Sequence, residues 1–416
     1  MSARVFSLFL TCCALVTICQ QSSADSQGYT VRQITFGPKH HFFGYIGHVG
    51  NIPWNASGRY ILALRVGFQD RLPDANDPAE IVLLDTQDNY SAKKVDQTLA
   101  WNPQQGTMFY WNPQAPETQF FFNDRDPETG KLFTVLFDIT SGKRVREYRF
   151  SDTPVANSGV AQKGGYFLAI NYGRMARLRP VTGYVGAWDW TLGVNAPKDD
   201  GIFKINIKTG KKELLVSFAR LRDEIRSSAP HVDNAALFIN HTLWNRDDDR
   251  VYFYARGNFR SKLPKVDVPF TIDMDGTLQI HQHVGGHPEW EQGHRMIGDA
   301  NGEQIIYDTD TKKIVGKLGQ TDSFPDPGGD IALSPNGKQF VNGYGNKRPG
   351  ENFYAILLRE EGRLIRTNAF SRGSWVSGAL RLDPAPCWNR TGTQIVVPAI
   401  SDDAQQSRQM FVISLE

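Results

Sequence analysis

Two stretches place a histidine three residues before a tryptophan: His241-Thr-Leu-Trp244 and His287-Pro-Glu-Trp290. The same frame returns as Asn51-Ile-Pro-Trp54, as Asp330-Ile-Ala-Leu333 and as Ala385-Pro-Cys387-Trp388. Each copy runs on through a turn-forming segment into a β-rich strand, so the unit reads as a hairpin with an apolar anchor. When such units are arranged in a ring, side chains at matched positions converge. Imidazole with thiolate suits zinc. The expected metal set is therefore His241, His287, His294 and Cys387, holding a structural rather than a catalytic ion.

A second stretch, Pro38 to Gly50, gathers His40, His41 and His48 with Phe42, Phe43, Tyr45 and three glycines. Glycine lets a ligand approach the backbone closely, and imidazole titrates near neutrality. His48 and His41 are thus the expected acid–base groups, on a loop. A third cluster is Asn171-Tyr172-Gly-Arg174-Met-Ala-Arg177-Leu-Arg179, followed by Tyr184. Guanidinium grips a carboxylate with two parallel hydrogen bonds, and tyrosine stacks on a sugar or moves a proton. Tyr172 and Arg174 join the expected catalytic set. Arg177, Arg179 and Tyr184, with Gln105 and Asn123, are the expected substrate contacts. Structural readings stand beside these: channel histidines bonded without an ion, loop histidines capping strand ends, arginines solvated on a surface.

The elements that must position these groups announce themselves by a second repeat, a strand that ends near Asp or Asn and a turn. It occurs at Glu80–Asp85, Phe133–Asp138, Ile202–Asn206, Phe270–Asp273, Ile305–Asp308, Tyr354–Leu357 and Phe411–Ser414, seven times in all. Units of roughly 40 to 50 residues with about four strands are the blades of a β-propeller. The fold class is all-β, a seven-bladed propeller. Its last copy ends at the C-terminus, so the strand near 29–36 is expected to complete the final blade and close the ring. One short helix, Ser217 to Arg226, is expected within a loop. A single domain over 25–416 follows.

Residues 1–24 read as a secretory signal peptide: Arg4, an apolar run from Val5 to Cys19, and Ser22-Ser-Ala24 before Asp25. The mature chain is expected to be exported, periplasmic or secreted, with lipoprotein anchoring at Cys19 the weaker reading. Of four cysteines only Cys387 lies beyond the signal, so no internal disulfide is available and the core must carry stability. A net charge of +2 on 416 residues gives no case for nucleic acid. No later stretch is long and apolar enough for a membrane span, and a monomer is expected. Phosphate-binding loops, the Gly-x-Ser-x-Gly elbow and the His-Glu-x-x-His helix are absent.

Taken together, the His287-Pro-Glu-Trp290 and His241 units and the Pro38–Gly50 run resemble the seven-bladed glycan-cleaving propellers. That group spans oligogalacturonate lyases, ulvan lyases and enzymes that remove rhamnose linked to glucuronate, and the Pro38–Gly50 run is most similar to the last. The resemblance implies cleavage beside a uronic acid in an acidic, rhamnose-bearing glycan. It implies an arginine that neutralises the carboxylate and a histidine or tyrosine that takes the neighbouring proton, with His48 central. The lyases carry a histidine pair on an early inner blade. This chain departs from them there, reading Trp101-Asn-Pro-Gln-Gln105 and Phe122-Asn123. β-Elimination is the preferred chemistry. An α-L-rhamnosidase and a propeller that only binds a glycan or protein are the alternatives.

Overall fold

The structure is a computed structural model that describes residues 28–46, 48 and 50–416; the signal-peptide reading lies outside these residues. Seven antiparallel sheets follow one another along the chain. From the innermost strand outward, blade 1 is His40–Phe42, Tyr60–Val66, Ala79–Asp85 and Ser91–Thr98. The innermost strands of blades 2 to 6 begin at Tyr110, Ala156, Phe238, Gly285 and Asp330. Blade 7 takes Cys387–Trp388, Gln394–Ile400 and Arg408–Leu415 from the C-terminal end. Its outermost strand is Tyr29–Gln33, antiparallel to Arg408–Leu415 from Tyr29↔Leu415 to Gln33↔Phe411. The two ends of the described chain thus lock the ring in one sheet, as the sequence implies.

Both repeats now have a physical reason. The seven strand-plus-turn signatures are the third strands of the seven blades. Their terminal Asp or Asn folds the next turn: Asp138 Oδ1 accepts the Thr140 and Ser141 N–H groups, and Asn206 Oδ1 accepts that of Thr209. Gly142 and Gly210 then sit at φ +66° and +74°, where a Cβ is costly. Tryptophan anchors rivet the innermost strands of blades 2, 4, 5 and 7 to the blade before. The indole N–H groups of Trp111, Trp244, Trp290 and Trp388 donate to the carbonyls of Pro53, Gly159, Leu243 and Ala332, at 2.8–3.1 Å. A buried indole needs such a partner, and the inner seam of a propeller offers one at the same height each time.

Two helices interrupt the strands. Phe218–Arg226 is capped by Ser217, whose side chain accepts the Arg220 N–H, close to the expected Ser217–Arg226. Tyr172–Leu178, capped by Asn171, lies where the sequence reading has a loop. It opens the long insert between the second and third strands of blade 3, residues 171–200. No helix of the described residues is long and apolar enough to cross a membrane.

Candidate functional site

Each blade is a four-strand meander, so connections between blades share one face of the ring with those joining second to third strands. On that face the channel opens into a narrow pocket with a cavity volume of about 40 Å³. Connections between blades supply Gln104, Gln105, Arg381 and Asp383. The blade 3 insert supplies Arg179 and Thr182, and the innermost strands supply Asn240, His241, His287 and Asp330. Tyr45 and Ile46 form part of the wall. They belong to an excursion, carrying His48, that leaves the innermost strand of blade 1 after Phe42 and returns at Trp54, which bridges to Ile61.

The excursion enters the channel instead of forming the surface loop expected for Pro38–Gly50. Gly44, at φ +113°, lies so close to Gly106 that a Cβ would meet its backbone nitrogen at 2.5 Å. The Cys387 thiol donates to the Tyr45 carbonyl at 3.1 Å. Tyr45 Oη then reaches His241 Nδ1 at 3.0 Å, while its ring lies 5.5 Å from that of His48. His48 is 4% exposed, with Nδ1 3.2 Å from Glu289 Oε2; its Nε2 and Glu289 Oε1 are buried without protein partners.

His241 and His287 meet edge to face, ring centroids 5.2 Å apart. The meeting depends on unusual backbone. His241 adopts φ +57° at a bulge between Asn240 and Leu243. Met108 and Ala385, at the same offset before Trp111 and Trp388, also have positive φ, +55° and +38°. Non-glycine residues held there are strained, and such strain concentrates at functional sites. His287 Nδ1 lies 2.9 Å from Asp330 Oδ1, and Asp330 Oδ2 accepts the Ala385 N–H at 2.9 Å.

The environment drives the two imidazoles apart. Burial, then the neighbouring His287 and Arg256, holds His241 well below 6.5. Burial also opposes charge on His287, but the Asp330 carboxylate outweighs it and the net displacement is upward. Asp330 is lowered: burial would raise it, and His287 overcomes that. Asp383 is raised by burial and then by Asp330. Burial with Arg256 and Arg381 nearby brings Arg179 down to about 10, and its Nε is buried without a partner. An imidazole pushed toward its neutral form, another pushed toward its charged form and two guanidinium groups therefore face one small pocket, the arrangement from which acid–base assignments are read.

The expected site residues divide into two groups. Gln105, Arg179, His241 and His287 line the pocket. The others are held elsewhere. His41 is buried, with Nδ1 3.0 Å from Gln409 Oε1, and burial brings it to about 4, which removes it from acid–base work near neutrality. His48 sits beneath Tyr45, not on an exposed loop. Tyr172 and Tyr184 are buried, stacked 4.4 Å apart, and Asn123 donates to Tyr184 Oη and to the Asn157 carbonyl. Arg174 is 1% exposed and donates to the Leu237, Val194 and Asn195 carbonyls and to Thr191 Oγ1. Arg177 pairs with Asp189 at 2.8 Å. The arginine cluster therefore fastens the blade 3 insert, and only Arg179 reaches the site.

The expected zinc set does not converge either. His294 is held between Asp249 and Asp310 at 3.2 and 2.9 Å. The Cys387 thiol is bonded to a carbonyl, and burial followed by Asp330 raises it well above 9, so it stays protonated and a poor ligand. Among the described residues no group of three or more His, Cys, Asp or Glu is placed to hold a metal ion. Tyr45, Arg381, Asp383 and Asn240 went unmarked in the sequence. Tyr45 lay inside a quoted run, whereas Arg381 and Asp383 lie in an irregular connection before blade 7 with no repeat to align them.

No protein-family profile matches the chain, and no curated protein sequence does. Among solved structures, an oligogalacturonate lyase in complex with manganese superposes with a TM-score of 0.60 over 94% of each chain, at 13% identity. The β-propeller domain of Myceliophteria thermophila Cps50 (Swd1) gives a TM-score of 0.47 at 12% identity, over 93% of this chain and 100% of that one. At this identity the likeness is one of architecture: the chain is a seven-bladed β-propeller built like the oligogalacturonate lyase.

Proposed function

We propose that the chain is an exported carbohydrate-cleaving propeller that acts beside a uronic acid in an acidic, rhamnose-bearing glycan. The bond is broken by β-elimination at the pocket around His241 and His287. One observation carries this reading: two imidazoles driven in opposite directions lie 5.2 Å apart in a pocket that Arg179 and Arg381 also line. The fold likeness to an oligogalacturonate lyase is compatible with it.

In this mechanism Arg179 and Arg381 neutralise the uronate carboxylate, which makes the adjacent C–H acidic without either arginine titrating. Neutral His241 donates Nδ1–H to Tyr45 Oη and takes the carbon-bound proton at Nε2. The electron pair forms the new C=C bond and expels the glycosidic oxygen. Charged His287, oriented by Asp330, delivers its Nε2 proton to that oxygen. Transfer of one proton between the neighbouring imidazoles then restores the starting state. Incubation with rhamnose–glucuronate and ulvan-type glycans tests this: elimination leaves an unsaturated uronate that absorbs in the ultraviolet. If no acidic glycan is cleaved, the chain is a binding propeller instead.

Hydrolysis releasing rhamnose is the second reading, favoured by Asp330 and Asp383. One carboxyl is lowered and the other raised at the same pocket, as a base and an acid require. Its product is saturated and silent in the ultraviolet.

A further inference from the structure

One wall of the pocket continues outward from the groups used in elimination as a line of further positive charge. It begins at Arg179, which lines the pocket. The Arg179 guanidinium carbon lies 5.5 Å from the centroid of the Phe259 ring, which also takes Arg256 at 5.5 Å and Lys265 at 5.4 Å. Phe259 is itself fixed edge-on against Phe238, 5.5 Å away. It opens the arm Asn258–Lys265, which joins the second and third strands of blade 4 on the face where the pocket opens. This arm carries Arg260, Lys262 and Lys265 and not one acidic residue.

The arm holds its own shape. Asn258, at φ +61°, donates from Nδ2 to the Pro264 carbonyl at 3.0 Å, and the Ser261 N–H returns to the Asn258 carbonyl at 3.3 Å. Of the cations here Arg256 has a carboxylate, Asp267 at 2.8 Å, and Asp267 is shared with His283 at 3.7 Å. Among the described residues Arg179, Arg260, Lys262 and Lys265 lie within 4.0 Å of no carboxylate oxygen, so the arm carries its positive charge uncompensated. Like charges held together in a fixed shape repel one another unless an anion is shared between them.

We propose that the Asn258–Lys265 arm is a binding track for an extended glycan bearing acidic sugars at more than one position, leading its chain into the His241–His287 pocket. This rests on the glycan-cleaving reading and deepens it. The substrate is a polyanionic chain gripped along several sugars, and a single acidic residue in the pocket is only part of what is held. A sugar carboxylate laid along the arm meets Lys265 and Arg260 outside the pocket, while Arg179 serves the uronate held inside it. A glycan is favoured over nucleic acid because the arm leads to the pocket on which the glycan-cleaving reading rests and the whole chain carries only +2.

The test compares the wild-type chain with the triple variant Arg260→Ala, Lys262→Ala, Lys265→Ala. Binding is measured at low salt to polygalacturonate, to its fully methyl-esterified form and to duplex DNA. Three exposed charge contacts predict roughly tenfold weaker binding of the polyuronate by the variant, a difference that shrinks as salt is added. The ester should bind both proteins alike, and the thermal midpoint should not move. On a cleavable acidic polymer KM should rise with kcat kept, while an acidic disaccharide is handled as before. Unchanged polyuronate binding, or a wild type that binds no polyuronate, overturns the track. An equal loss for DNA marks an unspecific cationic surface and overturns it too. A chain that binds polyuronate through the arm yet cleaves no acidic glycan keeps the track and refutes the catalytic reading.

Discussion

Replacing Asp330 by Asn keeps the shape of the side chain and an acceptor for the Ala385 N–H, but removes the charge 2.9 Å from His287. Charge centres about 4 Å apart interact by about 4 kcal/mol at an effective dielectric of 20. Solvent still reaches the His287 side chain, which is 32% exposed, so roughly half of that is a fair share and corresponds to roughly 1–2 pKa units. Burial, the largest influence on His287, then acts with far less opposition, and the imidazole becomes neutral at neutral pH. A group whose folded pKa is raised lends stability below its unfolded value, near 6.5, and loses it as pH rises through the folded value. Asp330, lowered in the fold, lends stability above its unfolded value and loses it as pH falls through the folded one. The pair therefore stabilises the ring most between those limits, and Asp330→Asn should cost most there. If charged His287 protonates the leaving oxygen, activity on an acidic glycan falls as pH rises through its pKa. That alkaline limb should move roughly 1–2 units toward acid in the variant. The His287 resonance followed by NMR across pH reads the shift without any substrate. If His287 titrates at the same pH in both proteins, the carboxylate does not set its charge and the acid assignment fails.

His48→Ala removes one partner of a buried carboxyl and should lower unfolding stability by roughly 2–5 kcal/mol in urea, whereas an exposed loop residue would cost almost nothing. Arg174→Ala strips donors from the Leu237, Val194 and Asn195 carbonyls; a loss of roughly 3–5 kcal/mol and equal damage to activity on acidic and neutral substrates are expected. Asp200, buried beside Asn171 and raised to about 7, costs the fold progressively as pH climbs from its unfolded value through 7. Asp200→Asn should therefore stabilise the protein by roughly 2–4 kcal/mol at pH 8 and leave it unchanged near pH 4, as thermal scans at the two pH values will read.

The architecture was legible because it is written many times over. A blade cannot bury its faces alone, so every blade repeats the strand pattern and most add the Asx turn and the inner-seam tryptophan. The strand expected near 29–36 is Tyr29–Gln33, the fourth strand of the last blade beside Arg408–Leu415, and counting strands per blade was enough to place it there. The anchors were less complete. Trp111 holds the same seam through Pro53, yet its innermost strand is reduced to Tyr110–Trp111 and offers no period to detect. The helix Tyr172–Leu178 was hidden differently: its arginines read as ligands for a carboxylate, but Asn171 is an N-cap and Arg174 a buried fastener.

What the repeat predicts is height along the channel, and that explains both the success and the failure at the site. His241, His287 and Asp330 occupy one offset before their anchors, so the ring symmetry alone brings them together. His294 stands beyond its anchor, Trp290, on the opposite face of the ring, and Cys387 lies two residues past the matched offset, turned to the Tyr45 carbonyl. Neither could share a ligand sphere with the histidine pair once the strand direction was fixed. The excursion after Phe42 breaks the symmetry altogether. It carries Tyr45 across the channel to a histidine 196 positions later in the chain, a contact that no local pattern encodes. The backbone that permits it, Gly44 against Gly106, is visible in the sequence only as two ordinary glycines. The symmetric part of the pocket supplies the two imidazoles and Asp330; the asymmetric part, Tyr45, Arg179, Arg381 and Asp383, comes from one excursion, one insert and one connection. A propeller gains much of its particular chemistry where its repeats are interrupted, because there the chain adds groups that no matched position of the blades can supply.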